Sequence, residues 1–256
     1  MNKLMKTAAA AVIGLALAGA AHAQSALNDI LDSGVLKVGT TGDWNPMTVR
    51  DPASNSYKGF DIDIMKELAA DLGVEVEFVP TDWKTLVNGV VAGQYHITGS
   101  ASISPARMKA AGFSESYISV EILPFSSKGD AGKFSGHDAI NQPGVKVATT
   151  LGTTFEKLVK EWYPNADIKV VEAPARGYQE VLAGRADVFI TSNIEGATLE
   201  QKFDVARVAG AEARSPTPIA MLLPQTDQVW INYVNNWVKV KQAAGFFEAN
   251  KANWGL

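Results

Sequence analysis

Three pairs of segments repeat each other along this chain, and that repetition limits the fold more than any other feature. GVLKVGTTGD (Gly34 to Asp43) resembles GVKVATTLGTT (Gly144 to Thr154), and VVAGQYHITGS (Val90 to Ser100) resembles VLAGRADVFITS (Val181 to Ser192). In the first pair, β-branched residues run into a Thr-Thr pair and a glycine, the pattern of a strand entering a polar turn. The second pair reads as a helix stopped at Gly93 or Gly184, then a strand ending in small hydroxyl residues. A further strand and turn matches upstream of each: VEVEFVPTDW (Val74 to Trp83) and IKVVEAPARGY (Ile168 to Tyr178). Strand, helix, strand, helix, strand, written twice, predicts two related α/β lobes with helices on the sheet faces.

Other segments fit around these units. A helix is expected from Asp61 to Leu72, with Met65, Leu68, Ala69 and Leu72 on one face and Asp61 as N-cap. Ser126 to Pro143 is rich in Gly, Ser, Asp and Lys and reads as crossover and surface turn. Near the end, Met221 to Gln225 reads as a strand and Val229 to Gly245 as a helix with Trp230, Val234, Trp237 and Val238 on one face.

The N-terminus sets the compartment. Lys3 and Lys6 precede an apolar run from Thr7 to Ala20 closed by Ala21, His22 and Ala23, the pattern of a secretory leader, residues 1–23, cleaved after Ala23. A periplasmic chain starting at Gln24 is expected. The chain has no cysteine, which removes disulfides, thiol nucleophiles and cysteine metal ligands together. A net charge of −4 gives no electrostatic reason to expect nucleic acid as a partner. His96 and His137 lack metal-site spacing, so neither a metal nor any other cofactor is expected.

Ligands of open parallel sheets lie at the carboxyl ends of the strands. In the first lobe those ends carry Thr40, Thr41, Asp43, Trp44, Thr81 to Trp83, and Gly99 to Arg107; in the second they carry Thr149 to Thr154, Ala173 to Tyr178, and Thr191 to Glu195. Ser104 and Pro105 open a helix whose positive end, with Arg107, suits an anion, although a plain cap with a solvated arginine fits the same string. Gly152, Thr153 and Thr154 offer a matching turn, which is equally consistent with an ordinary Thr-capped helix. Trp44 and Trp83 serve either as an aromatic wall or as core. Glu195 is either a general acid raised by desolvation or a capping glutamate near a helix N-terminus.

The strings LNDILDSGVLKVGTTGDWNPM, YKGFDIDIMKELAADLG, ISPARMKAAGFSESY, LGTTFEKL and VLAGRADVFITSN, in this order, resemble the periplasmic polar amino-acid binding proteins of ATP-binding-cassette importers, solute-binding family 3. The resemblance implies a two-lobed type II periplasmic-binding-protein fold with mostly parallel sheets and a two-strand hinge. It places lobe 1 at 24–125 with 219–256 and lobe 2 at 126–218. It further implies a monomer that captures an amino acid or organic acid for a membrane permease. Arg107 would grip the ligand carboxylate with Ser102 and Thr154, between Trp44 and Trp83; Thr153 and Ser192 are further candidates at the strand ends, and either Asp43 or Glu195 supplies a negative charge for a ligand ammonium or the ligand has none. Many members carry an aspartate for the ligand ammonium where this chain has Ser192.

TTGDW, PTDW and TSNIE also resemble the cyclohexadienyl dehydratase branch, in which Glu195 would be the general acid. Against that branch, this chain has Thr154 and Ser192 where the enzyme has Asn and Asp, and Ile122 and Ile219 where it has lysines.

Overall fold

The computed structural model describes residues 25–256, so the expected leader and its cleavage point lie outside the described residues. One mixed sheet runs through both halves of the molecule. Its strand order is Asp167–Val171, Lys146–Thr150, Val188–Ser192, Ile118–Ser127, Arg214–Leu223, Ile97–Ser102, Val35–Thr40, Glu75–Pro80. The two repeated units form its two ends. In the first, Val35–Thr40 pairs in parallel with both Glu75–Pro80 and Ile97–Ser102. In the second, Lys146–Thr150 pairs in parallel with both Asp167–Val171 and Val188–Ser192. Helices Leu86–Val91 and Gly177–Leu182 occupy equivalent places, and each is followed two residues on by the left-handed glycine read from the sequence.

The centre of the sheet joins the halves. Ile118–Ser127 and Arg214–Leu223 are ten residues each and pair antiparallel, with Ile118 opposite Ile219 and Val120 opposite Thr217. On its other flank Ile118–Ser127 pairs with Val188–Ser192 of the second half, and Arg214–Leu223 pairs with Ile97–Ser102 of the first. The chain therefore crosses between the halves on two long strands, which is the architecture of a type II periplasmic binding protein. The terminal strand is longer than Met221 to Gln225, since its first half carries the crossing.

The terminal helices Gln228–Ala243 and Phe246–Trp254 return to the first half. Trp230, Val234, Trp237 and Val238 are buried as their spacing predicts, each such side chain contributing about 1.5–3 kcal/mol. Indole groups fix the helices: Trp237 donates to Asp71 at 2.6 Å and Trp254 to Asp63 at 2.8 Å.

Two local expectations are corrected. The first long helix spans Phe60–Leu72 with Gly59 as N-cap, and Asp61 lies inside it. Asp61 does not cap because its carboxylate faces inward, accepting from Tyr117 Oη at 2.7 Å and from the Ser100 hydroxyl. The segment from Ser126 to Pro143 is not all surface. Its short helix His137–Ile140 buries Ile140, and the His137 ring bonds Tyr163 Oη and the Glu212 carbonyl, both at 2.7 Å.

Candidate ligand-binding cleft

The strand ends of both halves meet at one cleft. From the first half it is lined by Trp44, Trp83, Ser100, Ser102 and Arg107; from the second by Thr153, Thr154, Phe155 and Arg176. About 300 Å³ of space, part of it open to solvent, lies between them, and only about 20 Å³ of it is enclosed, room for about one water molecule. The two tryptophan rings meet edge to face, with centroids 6.0 Å apart.

Arg107 follows from its local sequence. The strand Ile97–Ser102 ends, Ser104 accepts a hydrogen bond from the Arg107 amide at 3.4 Å, Pro105 begins the helical turn, and the guanidinium is thereby turned into the cleft. The residue is 8% exposed. Among the described residues its guanidinium makes only two hydrogen bonds, both long, to the carbonyls of Ser102 at 3.4 Å and Gly152 at 3.5 Å, and no carboxylate pairs with it. Burial pulls its pKa down to about 10, so it stays charged at neutral pH.

The halves touch across this space. Thr154 Oγ1 donates to Ser102 Oγ at 3.2 Å, and at the rim Lys84 pairs with Glu172 at 2.7 Å. At Gly152 the backbones approach so closely that a Cβ atom would lie 2.5 Å from the Lys84 nitrogen, and φ there is +77°. Only glycine suits both demands. The geometry is that of a closed cleft.

Arg176, at the turn before helix Gly177–Leu182, is the second buried guanidinium, and it is fully engaged. Its Nη2 donates to both oxygens of Glu195, at 2.9 and 2.7 Å, and its Nη1 donates to Asp43 of the other half at 3.0 Å. Trp83 Nε1 donates to both Asp43 oxygens, at 3.0 and 3.2 Å, and Thr191 donates to Glu195. Burial pushes the Glu195 carboxyl up, while Arg176 and the Thr191 hydroxyl pull it back. Conversely, the two carboxylates outweigh burial at Arg176 and hold it charged.

The residues singled out in the sequence therefore divide in two. Ser102, Arg107, Thr153, Thr154, Trp44 and Trp83 line the cleft, whereas Asp43, Ser192 and Glu195 stand behind its wall. Ser192 is fully buried and its hydroxyl caps helix Asn193–Lys202, accepting from the Glu195 amide at 3.2 Å. The Thr153 hydroxyl is likewise occupied as a cap, accepting from the Glu156 amide at 3.3 Å and donating to the Thr150 carbonyl at 2.7 Å.

The profile of the bacterial extracellular solute-binding proteins, family 3, matches residues 36–256. The chain belongs to that family. Among curated relatives, the cyclohexadienyl dehydratase of Pseudomonas aeruginosa is 31% identical over 99% of this chain and 96% of its own length. The L-cystine-binding protein TcyJ of Escherichia coli is 25% identical over 96% of this chain and 92% of its own. Among solved structures, the ancestral amino-acid-binding protein AncCDT-1, described as a precursor of cyclohexadienyl dehydratase, superposes with a TM-score of 0.83. It is 35% identical, and the match covers 90% of this chain and 99% of the other. Membership of family 3 makes this a solute-binding protein whose relatives include a probable amino-acid ATP-binding-cassette transporter-binding protein of Haemophilus influenzae. Among the described residues, no helix is long and apolar enough to cross a membrane.

Three cleft residues of this family 3 chain, Ser100, Phe155 and Arg176, are not among the candidates named from the sequence. Phe155 follows the Thr-Thr turn and reads locally as a core position of its helix. Arg176 lies within a strand-end turn that was noted, and its one distinguishing signal is that it is the only basic residue there.

Proposed function

We propose that this family 3 protein captures one small carboxylate-bearing solute, an amino acid or organic acid, in the periplasm and presents it to the permease of an ATP-binding-cassette importer. In this reading it is a monomer whose mobile bodies are 24–125 with 219–256, and 126–218, the leader being removed after Ala23. Arg107 takes the carboxylate, with the Ser102 and Thr154 hydroxyls beside it, and Trp44, Trp83 and Phe155 enclose the remainder. One observation carries the reading: Arg107 is a buried cation with no anion of its own. A buried unpaired charge is costly, and a ligand carboxylate would satisfy it with paired, charge-assisted hydrogen bonds. Mass spectrometry of material released from freshly purified, denatured protein tests it. A small carboxylic acid is the expected cargo; protein that releases none, and whose melting temperature no small carboxylate raises, would contradict the reading.

A second reading, dehydration and decarboxylation of prephenate or arogenate with Glu195 as general acid, is favoured by the similarity to cyclohexadienyl dehydratase. The Arg176 ion pair weighs against it, because a carboxylate that accepts from Arg176 Nη2 at both oxygens is poorly placed to donate a proton. Steady turnover at neutral pH by the wild type, abolished in Glu195→Gln, would establish the enzyme instead.

A further inference from the structure

We propose that the cleft selects monocarboxylates lacking an ammonium group, such as 2-oxo, 2-hydroxy or aryl-substituted acids, over the α-amino acids of the same skeleton. This rests on the carboxylate-capture reading above and narrows it to a ligand class.

The argument is one of charge. Four ionised side chains surround the cleft, namely Arg107, Arg176, Asp43 and Glu195, and three of them already satisfy one another. Every carboxylate oxygen in that set is occupied: Asp43 by Arg176 and Trp83, Glu195 by Arg176 and Thr191. A carboxylate brought to Arg107 pairs the one guanidinium left without an anion. An ammonium arriving with it finds no free carboxylate, because the residues lining the cleft include two arginines and no acid.

The buried acid bonded to the cleft residue Ser100 does not change this count. Asp61 lies behind Ser100, with both oxygens taken by Tyr117 and Ser100 and its carboxyl pushed up to about 7 by burial. Trp44 adds to the asymmetry, since its indole N–H is buried without an acceptor. What the cleft leaves unsatisfied is donors, and a carbonyl or hydroxyl beside a carboxylate supplies acceptors where an ammonium supplies three more donors. Behind the wall at the second-half strand end, Ser192 is a neutral helix cap and adds no further charge.

The test is calorimetric titration of the intact mature protein with matched pairs: phenylpyruvate and 3-phenyllactate against L-phenylalanine, and 4-methyl-2-oxopentanoate against L-leucine. The expected result is dissociation constants at least about tenfold lower for the oxo or hydroxy acid of each bound set, because an unpaired buried ammonium is heavily penalised. Equal or tighter binding of the amino acid by the wild type overturns the inference, as does failure of every acid in both sets to bind. The two claims separate in Arg107→Ala. Amino-acid preference that is lost in Arg107→Ala leaves carboxylate capture standing and removes only the ligand class; binding that survives Arg107→Ala removes capture itself.

Discussion

Arg107 and Arg176 face the same cleft from opposite halves, both are 8% exposed, and they are in opposite electrostatic situations. Arg176 has two carboxylates, one of them from across the cleft, and contributes to the closed shape from within the chain. Arg107 has two long contacts to carbonyls and no ion pair. The comparison separates the two uses a fold makes of a buried charge. A charge with internal partners fixes geometry, and one without them is a demand placed on something outside the chain.

The largest effect that would break this comparison is at the paired residue. Arg176→Met leaves Asp43 and Glu195 without their cation, Glu195 being fully buried, so a loss of about 3–5 kcal/mol in unfolding free energy is expected by urea titration. A loss below about 1 kcal/mol would mean the network is not formed in solution.

A third buried charge, Asp61, sharpens the point, because it is a carboxyl with no cation at all. Its folded pKa is raised from 3.8 to about 7, chiefly by burial, so it favours the fold while protonated. That contribution is fully present below about pH 4 and is lost as pH rises through about 7. At about 1.4 kcal/mol per pH unit the change amounts to about 4 kcal/mol, an upper figure. Asp61→Asn cannot titrate, so the wild type should lose stability relative to this variant between pH 4 and 8. A constant difference across that range would contradict the assignment.

The smallest stability effect is expected at Arg107. Arg107→Met removes an unpaired buried cation, so the unliganded protein should be unchanged or up to about 1 kcal/mol more stable, opposite in sign to Arg176→Met. Thermal denaturation of ligand-stripped protein measures this, and a destabilisation matching that of Arg176→Met would erase the distinction between the two arginines.

What the sequence made legible was local. The two α/β units were readable because strand alternation and the glycines at Gly93 and Gly184 are set within a few residues. Arg107 was readable for the same reason, since Ser104 and Pro105 announce its helical turn. Asp61 was misplaced as a cap because its partners, Ser100 and Tyr117, lie 39 and 56 positions away. Arg176 escaped for a stronger version of that reason. Its significance depends on Asp43, 133 positions distant and on the other half, so the pair joins the two halves across the closed cleft. Local patterns located the strand ends, but whether a charge there is satisfied is a property of the assembled cleft.

The most direct test is therefore the affinity of Arg107→Ala for the acid released from the wild-type protein, measured by calorimetry beside the wild type. Carboxylate capture by an otherwise unpaired guanidinium predicts a dissociation constant raised about 30-fold or more, equivalent to at least about 2 kcal/mol. An affinity within about threefold of wild type would contradict it.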